Sequence, residues 1–149
     1  IMHALLVRVG DEVFALPLTS ISEVVKVTEE EISTVEGREI LVLRESEIPL
    51  LRLADAYGVG GSSSARSKFV AVVRFGERLA GLVMDQVLRQ QEVVIRAVGE
   101  RVRGVPGIAG ATEVGENQIA LVVDVASLIS GLGAARSLRR EGHTAVVRR

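Results

Sequence analysis

The stretch that decides the fold is LLVRVGDEVFALP, residues 5–17, because a matching stretch, AVVRFGERLAGLV, follows at residues 71–83. At a constant offset of 66 positions, arginine aligns with arginine and glycine with glycine. In each stretch two apolar runs flank a two-residue loop, Gly10-Asp11 in the first and Gly76-Glu77 in the second. Such a loop between apolar runs is the short-range signature of a β-hairpin. The sequence therefore predicts the same hairpin twice.

Each hairpin is followed later by a second matching segment, EIPLLRL at residues 47–53 and QIALVVDV at residues 118–125. A repeat that occurs only twice and is too long for a solenoid unit indicates two similar small β units. About ten short strands with regularly spaced turns favour small barrels or a sandwich. The soft stretch GGSSSARS, residues 60–67, separates the halves. A unit of about 65 residues buries only about 60% of its unfolded surface, so the halves are expected to share a hydrophobic interface.

Composition excludes several classes of protein. Hydrophobic residues make up 48% of the 149 residues, and the formal net charge is −1. This charge gives no basic field for nucleic acid, so no nucleic-acid partner is expected. The chain has no cysteine, which excludes disulfides and zinc–thiolate sites. No apolar run approaches the length that spans a bilayer, so no membrane insertion is expected.

Residues suited to catalysis are scarce. The only histidines, His3 and His143, lie near the two ends without a metal-ligand spacing around them. Asp55, Asp85 and Asp124 follow apolar strands, where aspartate is usually a turn or cap residue. We therefore expect a binding body with no catalytic residue, no metal and no cofactor.

Two segments of the second half resemble a known family. They are GLVMDQVLRQQEVVIRAVG at residues 81–99 and VPGIAGATEVGENQIALVVDV at residues 105–125. Both look like the regulatory domain of the chemotaxis histidine kinase CheA. The opening IMHALLV, residues 1–7, is similar to the seam where the ATP-binding domain of that kinase passes into its regulatory domain. The resemblance covers about residues 1–130.

The resemblance implies an all-β fold. Two SH3-like five-stranded β-barrels, related by the internal repeat, would pack around a shared hydrophobic core, with one or two short helices. Residues 1–132 would form this CheW-like regulatory domain, the first barrel mainly from 4–58 and the second mainly from 68–130. Whether the barrels share strands stays open. Residues 133–149 are expected to be a flexible tail.

The resemblance also implies a role without kinase activity. The domain would dock onto the coupling protein CheW and the cytoplasmic tips of chemoreceptors, and it would meet the ATP-binding domain of its own parent kinase. Its place would be the cytoplasm, at receptor arrays on the inner membrane face. The residues expected to contact partners are Ile21, Glu23, Val24, Arg44, Val87, Leu88, Arg89, Gln90 and Val93. Each apolar member could equally be an ordinary core residue.

Two alternatives remain open on the sequence. A free-standing CheW-type coupling protein has the same fold as the kinase domain. More remotely, a double barrel of this size could bind a small ligand or act as an enzyme, which would require a pocket lined with polar groups of perturbed pKa.

Overall fold

Both predicted hairpins form in the computed structural model, which describes residues 1–60, 66–97 and 107–131. Their loops contain Gly10 and Gly76, each in the left-handed region with φ of 58° and 65°. Glycine adopts this conformation without the steric cost of a Cβ atom. The eleven strands of the described residues are β1 (Met2–Val9), β2 (Glu12–Pro17), β3 (Ile21–Thr28), β4 (Ser33–Val35), β5 (Arg38–Leu43), β6 (Ser46–Arg52), β7 (Ser67–Phe75), β8 (Arg78–Met84), β9 (Gln86–Val93), β10 (Ile108–Gly115) and β11 (Gln118–Val123).

The strands form two sheets in which the hairpins are exchanged between the halves. The five-stranded sheet has the order β10-β11-β2-β1-β9, and the six-stranded sheet has the order β3-β7-β8-β6-β5-β4. Each hairpin pairs antiparallel with one strand of the other half (β1 with β9, β7 with β3) and parallel with another (β2 with β11, β8 with β6). Residues 4–58 thus supply most strands of the six-stranded sheet and residues 68–130 most strands of the five-stranded sheet, and the question of shared strands, left open on the sequence, is answered by the exchange of the two hairpins. Because the two hairpins have similar sequences, the local sequence pattern does not distinguish which sheet each hairpin joins.

Three apolar clusters hold the fold, and together they bear out the predicted class, two SH3-like barrels around a shared core. One cluster fills the five-stranded barrel and includes Leu6 and Val122. Another fills the six-stranded barrel and includes Val70 and Leu50. The third lies between the barrels and is built from both hairpins, as Phe14 and Leu82 illustrate. Each hairpin thus buries both faces, which explains its nearly continuous apolar runs.

Short helical segments connect the strands. They are two 3₁₀ turns, Leu18–Ser20 and Glu29–Glu31, and two helices, α1 (Leu53–Tyr57) and α2 (residues 125–131). A capping box between Thr28 and Glu31 opens the second turn. The sequence pattern predicts a helix over 29–35 there, but it ends at Glu31 because the next residues pair with β5 as strand β4. The predicted tail, 133–149, lies outside the described residues.

Candidate docking surfaces

Apart from Arg44, the residues predicted to contact partners lie on two end strands that are counterparts in the repeat. Strand β3 is the last strand at one end of the six-stranded sheet, and β9 occupies the same place in the five-stranded sheet. The offset of 66 positions matches Ile21 with Val87, and Val24 with Gln90. An end strand presents backbone N–H and C=O groups on its outer side, where another chain can approach. The structure therefore brings eight of the nine predicted residues to two separate surfaces, and the exception is Val93.

The surface around β3 combines apolar and charged side chains. Ile21 is half-buried and packs against the shared core, whereas Val24 is 37% exposed. Glu23 forms an ion pair with Arg44, which lies in the turn between β5 and β6. Arg44 and Glu45 both adopt positive φ, the conformation of a tight two-residue hairpin loop.

The pair of Glu23 and Arg44 closes one end of the six-stranded barrel. Three strands separate β3 from β5 in the sheet order, so the two side chains can meet only because the sheet curls round. Arg44 keeps a largely exposed guanidinium. An exposed ion pair contributes little to stability, about 0–1 kcal/mol. The pair is therefore better suited to recognition than to holding the fold.

The surface around β9 is more polar. Val87 and Leu88 are half-buried, Val87 against the shared core and Leu88 against the core of the five-stranded barrel. Arg89 is anchored because its guanidinium donates to the carbonyl of Val114 at 2.8 Å. Gln90 is exposed at the middle of the strand.

Val93 differs from the other predicted contact residues. It is only 3% exposed, and its side chain lies in the core of the five-stranded barrel. A partner could touch this side chain only after the barrel core had repacked. We therefore leave Val93 out of the surface that we propose for docking.

The sequence pattern missed three exposed apolar side chains beside these strands. Phe75 is 50% exposed at the tip of the second hairpin, although its repeat counterpart, Val9, is buried. Phe75 lies two residues beyond Val73, which pairs with Ile21, so it extends the β3 surface. Val94 and Ile95, exposed directly after β9, extend the other surface. The change from Val9 to Phe75 at one repeat position is the signal that could have revealed the first of them.

An arginine network lies behind the β3 surface. The Arg52 guanidinium donates to both carboxylate oxygens of Glu29 at 3.0 and 2.8 Å, and to both of Glu39 at 2.8 and 3.0 Å. The hydrogen bonds from Arg52 to Glu29 lower the pKa of the Glu29 carboxyl, against the opposing effect of its partial burial. Because Glu29 follows β3 directly, the network fixes the end of that strand to β5 and β6.

Residues suited to metal binding or catalysis are not gathered in the described part of the chain. Within residues 1–60, 66–97 and 107–131, no three His, Asp or Glu side chains are placed to hold a metal ion. His3 is exposed and lies 3.3 Å from a carboxylate oxygen of Glu92. His143 lies outside the described residues. None of the helices that the structure describes has the length and apolar character needed to cross a bilayer.

The two sheets and their related end strands define the chain as a double β-barrel domain. The chain belongs to the family of CheW-like domains, which its sequence matches over residues 3–132. Domains of this family are coupling and scaffold domains of chemotaxis. The two barrels of this chain are the fold of that family.

Curated relatives include a sensor histidine kinase and chemotaxis proteins named CheA. The chain is 37% identical over 130 residues to the sensor histidine kinase CheAY of Helicobacter pylori, covering 87% of this chain and 16% of the relative. It is 33% identical over 150 aligned positions to the chemotaxis protein CheA of Treponema pallidum, covering 99% of this chain and 18% of the relative. The chain thus spans less than a fifth of the length of these two relatives.

A solved structure shares the fold. The crystal structure of the scaffolding protein TtCheW from Thermoanaerobacter tengcongensis superposes with a TM-score of 0.70 at 18% sequence identity. The match covers 83% of this chain and 84% of that protein. At this identity the likeness establishes the fold alone.

Proposed function

We propose that this chain is the docking and regulatory domain of a chemotaxis histidine kinase. The observation that carries the proposal is that 87% of the chain aligns with less than a fifth of a sensor histidine kinase CheAY, and 99% with less than a fifth of a chemotaxis protein CheA. This is the relation expected of one domain within a longer multidomain enzyme. The domain itself would transmit the receptor state to the kinase by binding, with the chemistry performed elsewhere in the parent chain.

The β9 surface is proposed to bind the coupling protein CheW. It offers an exposed polar centre at Gln90, flanked by half-buried Val87 and Leu88 and by the anchored Arg89. Val94 and Ile95 add exposed apolar area at its end. A small contact that mixes polar and apolar side chains is typical of interfaces that form and dissociate.

The β3 surface is proposed to bind a second partner, the cytoplasmic tip of a chemoreceptor. Ile21, Val24 and Phe75 supply its apolar side chains, and the pair of Glu23 and Arg44 supplies its charges. The ATP-binding domain of the same parent kinase is the third proposed contact. These partners place the domain in the cytoplasm, at receptor arrays on the inner membrane face.

The test is calorimetric titration of this chain with the coupling protein of the same organism. We expect a dissociation constant in roughly the micromolar range, because the surface is small and partly polar. Gln90→Lys should weaken binding at least about tenfold, a loss of about 1.4 kcal/mol, since it places a charge in the centre of the contact. Gln90→Lys and the control variant Val24→Lys, described next, should both leave the thermal midpoint unchanged, because neither Gln90 nor Val24 is in the core.

Val24→Lys is the matched control, since Val24 is the repeat counterpart of Gln90 on the other surface. It should leave the affinity for the coupling protein within about twofold, which is less than 0.5 kcal/mol. Equal weakening by the two variants would contradict the assignment of β9 to this partner. If no complex forms at protein concentrations about a hundredfold above the expected micromolar dissociation constant, the proposed function itself is contradicted.

A free-standing CheW-type coupling protein is the second candidate. The match of residues 3–132 to the family of CheW-like domains is equally consistent with it. On this alternative the chain should bind the regulatory domain of a separate chemotaxis kinase. Titration against that domain, alongside the titration against the coupling protein, distinguishes the two candidates.

A further inference from the structure

A groove of about 430 Å³ lies away from both docking surfaces, between the first hairpin and α1. Its floor is apolar and includes Phe14, Tyr57 and Leu121. The rings of Phe14 and Tyr57 stack with centroids 4.7 Å apart, and the Tyr57 hydroxyl donates to the carbonyl of Gly107 at 2.6 Å. This hydrogen bond and the stacked rings give the floor a fixed shape.

The apolar floor continues beyond the groove along β11. Leu121 lies beside Phe14 in the parallel pairing of β11 with β2. Ile119 is two residues earlier on β11 and therefore points to the same side of the sheet as Leu121. Its side chain is 58% exposed. Groove and strand together form an apolar strip that the described residues leave uncovered.

Acidic side chains border this strip. Asp11 and Glu12, at the tip of the first hairpin, line the groove and are exposed. Among the described residues, neither carboxylate forms an ion pair with a lysine or arginine. Glu113, opposite Ile119 in the pairing of β10 with β11, adds a further exposed carboxylate at the far end, 3.9 Å from the Arg96 guanidinium. The strip therefore fits a segment that combines apolar side chains with positive charge.

The chain itself contains such a segment. Residues 132–149 hold five arginines and one glutamate, with Leu138, Val146 and Val147 among them. The segment continues from α2, which lies beside the Tyr57 end of the groove. A Cβ atom added at Gly107 would lie 2.7 Å from the Leu128 side chain of α2 and 3.2 Å from the Tyr57 hydroxyl. Eighteen extended residues reach about 60 Å, so the whole strip is within range.

We propose that residues 132–149 bind the strip in cis, with their arginines on the acidic border and their apolar side chains on the floor. Attachment through α2 supplies an effective concentration in roughly the millimolar range, so even a weak contact is populated. Because the border carboxylates are exposed, the contact weakens as salt screens the charges. The β9 strand is separated from β2 by β1, so the docked segment leaves Gln90 in the middle of β9 free and the proposal does not rest on the proposed function.

The experiment is a paramagnetic relaxation measurement on the full chain. The chain has no cysteine, so Thr144→Cys gives a single site for a nitroxide spin label. We expect selective loss of amide signal at Phe14, Ile119 and Leu121, with no loss at Gly76, on the other hairpin tip. Raising the salt to about 1 M, where the Debye length is about 3 Å, should restore the lost signals.

Charge reversal separates the acidic border from the rest of the surface. The double variant Asp11→Lys, Glu12→Lys should abolish the selective loss. Glu77→Lys, at the repeat counterpart of Asp11, should leave it unchanged. Uniform loss, no loss, or loss that survives the double variant would overturn the proposal.

Mixing identifies the chain that supplies the segment. Spin-labelled chain without ¹⁵N is mixed with unlabelled ¹⁵N chain, and the same amides are followed. Signal loss in the mixture equal to that within one chain would show that a second copy occupies the strip, which would overturn binding in cis. No loss in the mixture, with loss in the singly labelled chain, supports it.

Discussion

Asp85 joins three segments that are far apart in the sequence. One carboxylate oxygen accepts a hydrogen bond from the backbone N–H of Gly10 at 2.7 Å, and the other lies 2.7 Å from the ammonium of Lys68. Its own backbone N–H donates to the carbonyl of Arg8. The side chains of Lys68 and Asp85 are only 7% and 12% exposed, so the ion pair is screened from water. This single carboxylate fixes the first hairpin to the start of β9.

Asp85→Ala should lower the free energy of unfolding by about 3 kcal/mol, because it removes a buried carboxylate that is ion-paired with the buried Lys68 ammonium. Urea unfolding followed by circular dichroism measures the change. Glu30→Ala is the control, since it removes a partner from the exposed pair of Glu30 and Arg66 and should leave the urea midpoint unchanged. Equal urea midpoints for the two variants would show that the buried pair of Asp85 and Lys68 contributes no more to the free energy of unfolding than an exposed pair.

Residue by residue, the sequence predicted local roles better than distant contacts. Asp124 is the cap that the pattern indicates, because its carboxylate accepts hydrogen bonds from the backbone and the hydroxyl of Ser127. Asp85, predicted in the same way, is instead the buried partner of Lys68. Lys68 lies 17 residues earlier, and no sequence periodicity relates the two positions. Likewise, alternation along a strand could not separate exposed Val24 from buried Val93, because both lie on strands whose neighbours come from the other half.

Strand β8 shows how the two copies of the hairpin differ in packing. A Cβ atom at Gly81 would lie 2.6 Å from a methyl carbon of Leu50 and 2.7 Å from one of Val70. Its repeat counterpart is Ala15, which has a Cβ atom and pairs with Val122 of β11. Leu50, the residue that pairs with Gly81, is larger than Val122. The missing methyl group on β8 therefore accommodates the larger side chain on β6.

Gly81→Ala should destabilise the protein by about 1–3 kcal/mol, because the added methyl group overpacks the core of the six-stranded barrel. Thermal unfolding by calorimetry measures the loss. Gly115→Ala, also in a strand, is the control, since nothing lies within 4 Å of a Cβ atom there. It should be neutral or stabilising by up to about 1 kcal/mol. A smaller effect at Gly81 than at Gly115 would mean that Leu50 moves aside at no cost.

Elements were predictable where a local signal decides them. The glycine loops located both hairpins, because few residues other than glycine adopt their positive φ readily. The predicted helix over 29–35 was too long, since the pairing of Ser33–Val35 with β5 overrides helix propensity. Local patterns describe turns and caps, whereas the extent of each element depends on pairing with residues that the pattern does not contain.

At the scale of the whole molecule, the repeat predicted two barrels and a shared core but left the partner of each hairpin undetermined. Both hairpins are apolar on both faces, so the sequence pattern alone does not indicate which strands each hairpin pairs with. The structure exchanges them, and the shared core is consequently made from both hairpins, with Leu5 and Val73 among its members. Neither half then contains a complete sheet.

This exchange predicts that neither half folds alone. Without the second half, β3 loses its antiparallel partner β7, and the first hairpin loses both β9 and β11. Separate chains comprising residues 1–62 and 63–149 should therefore show no cooperative thermal unfolding by circular dichroism. An equimolar mixture should recover a cooperative transition, because the sheets and the shared core form only when both are present. The intact chain, which should unfold in a single transition, is the control. A cooperative transition in either fragment by itself would contradict the requirement for exchange.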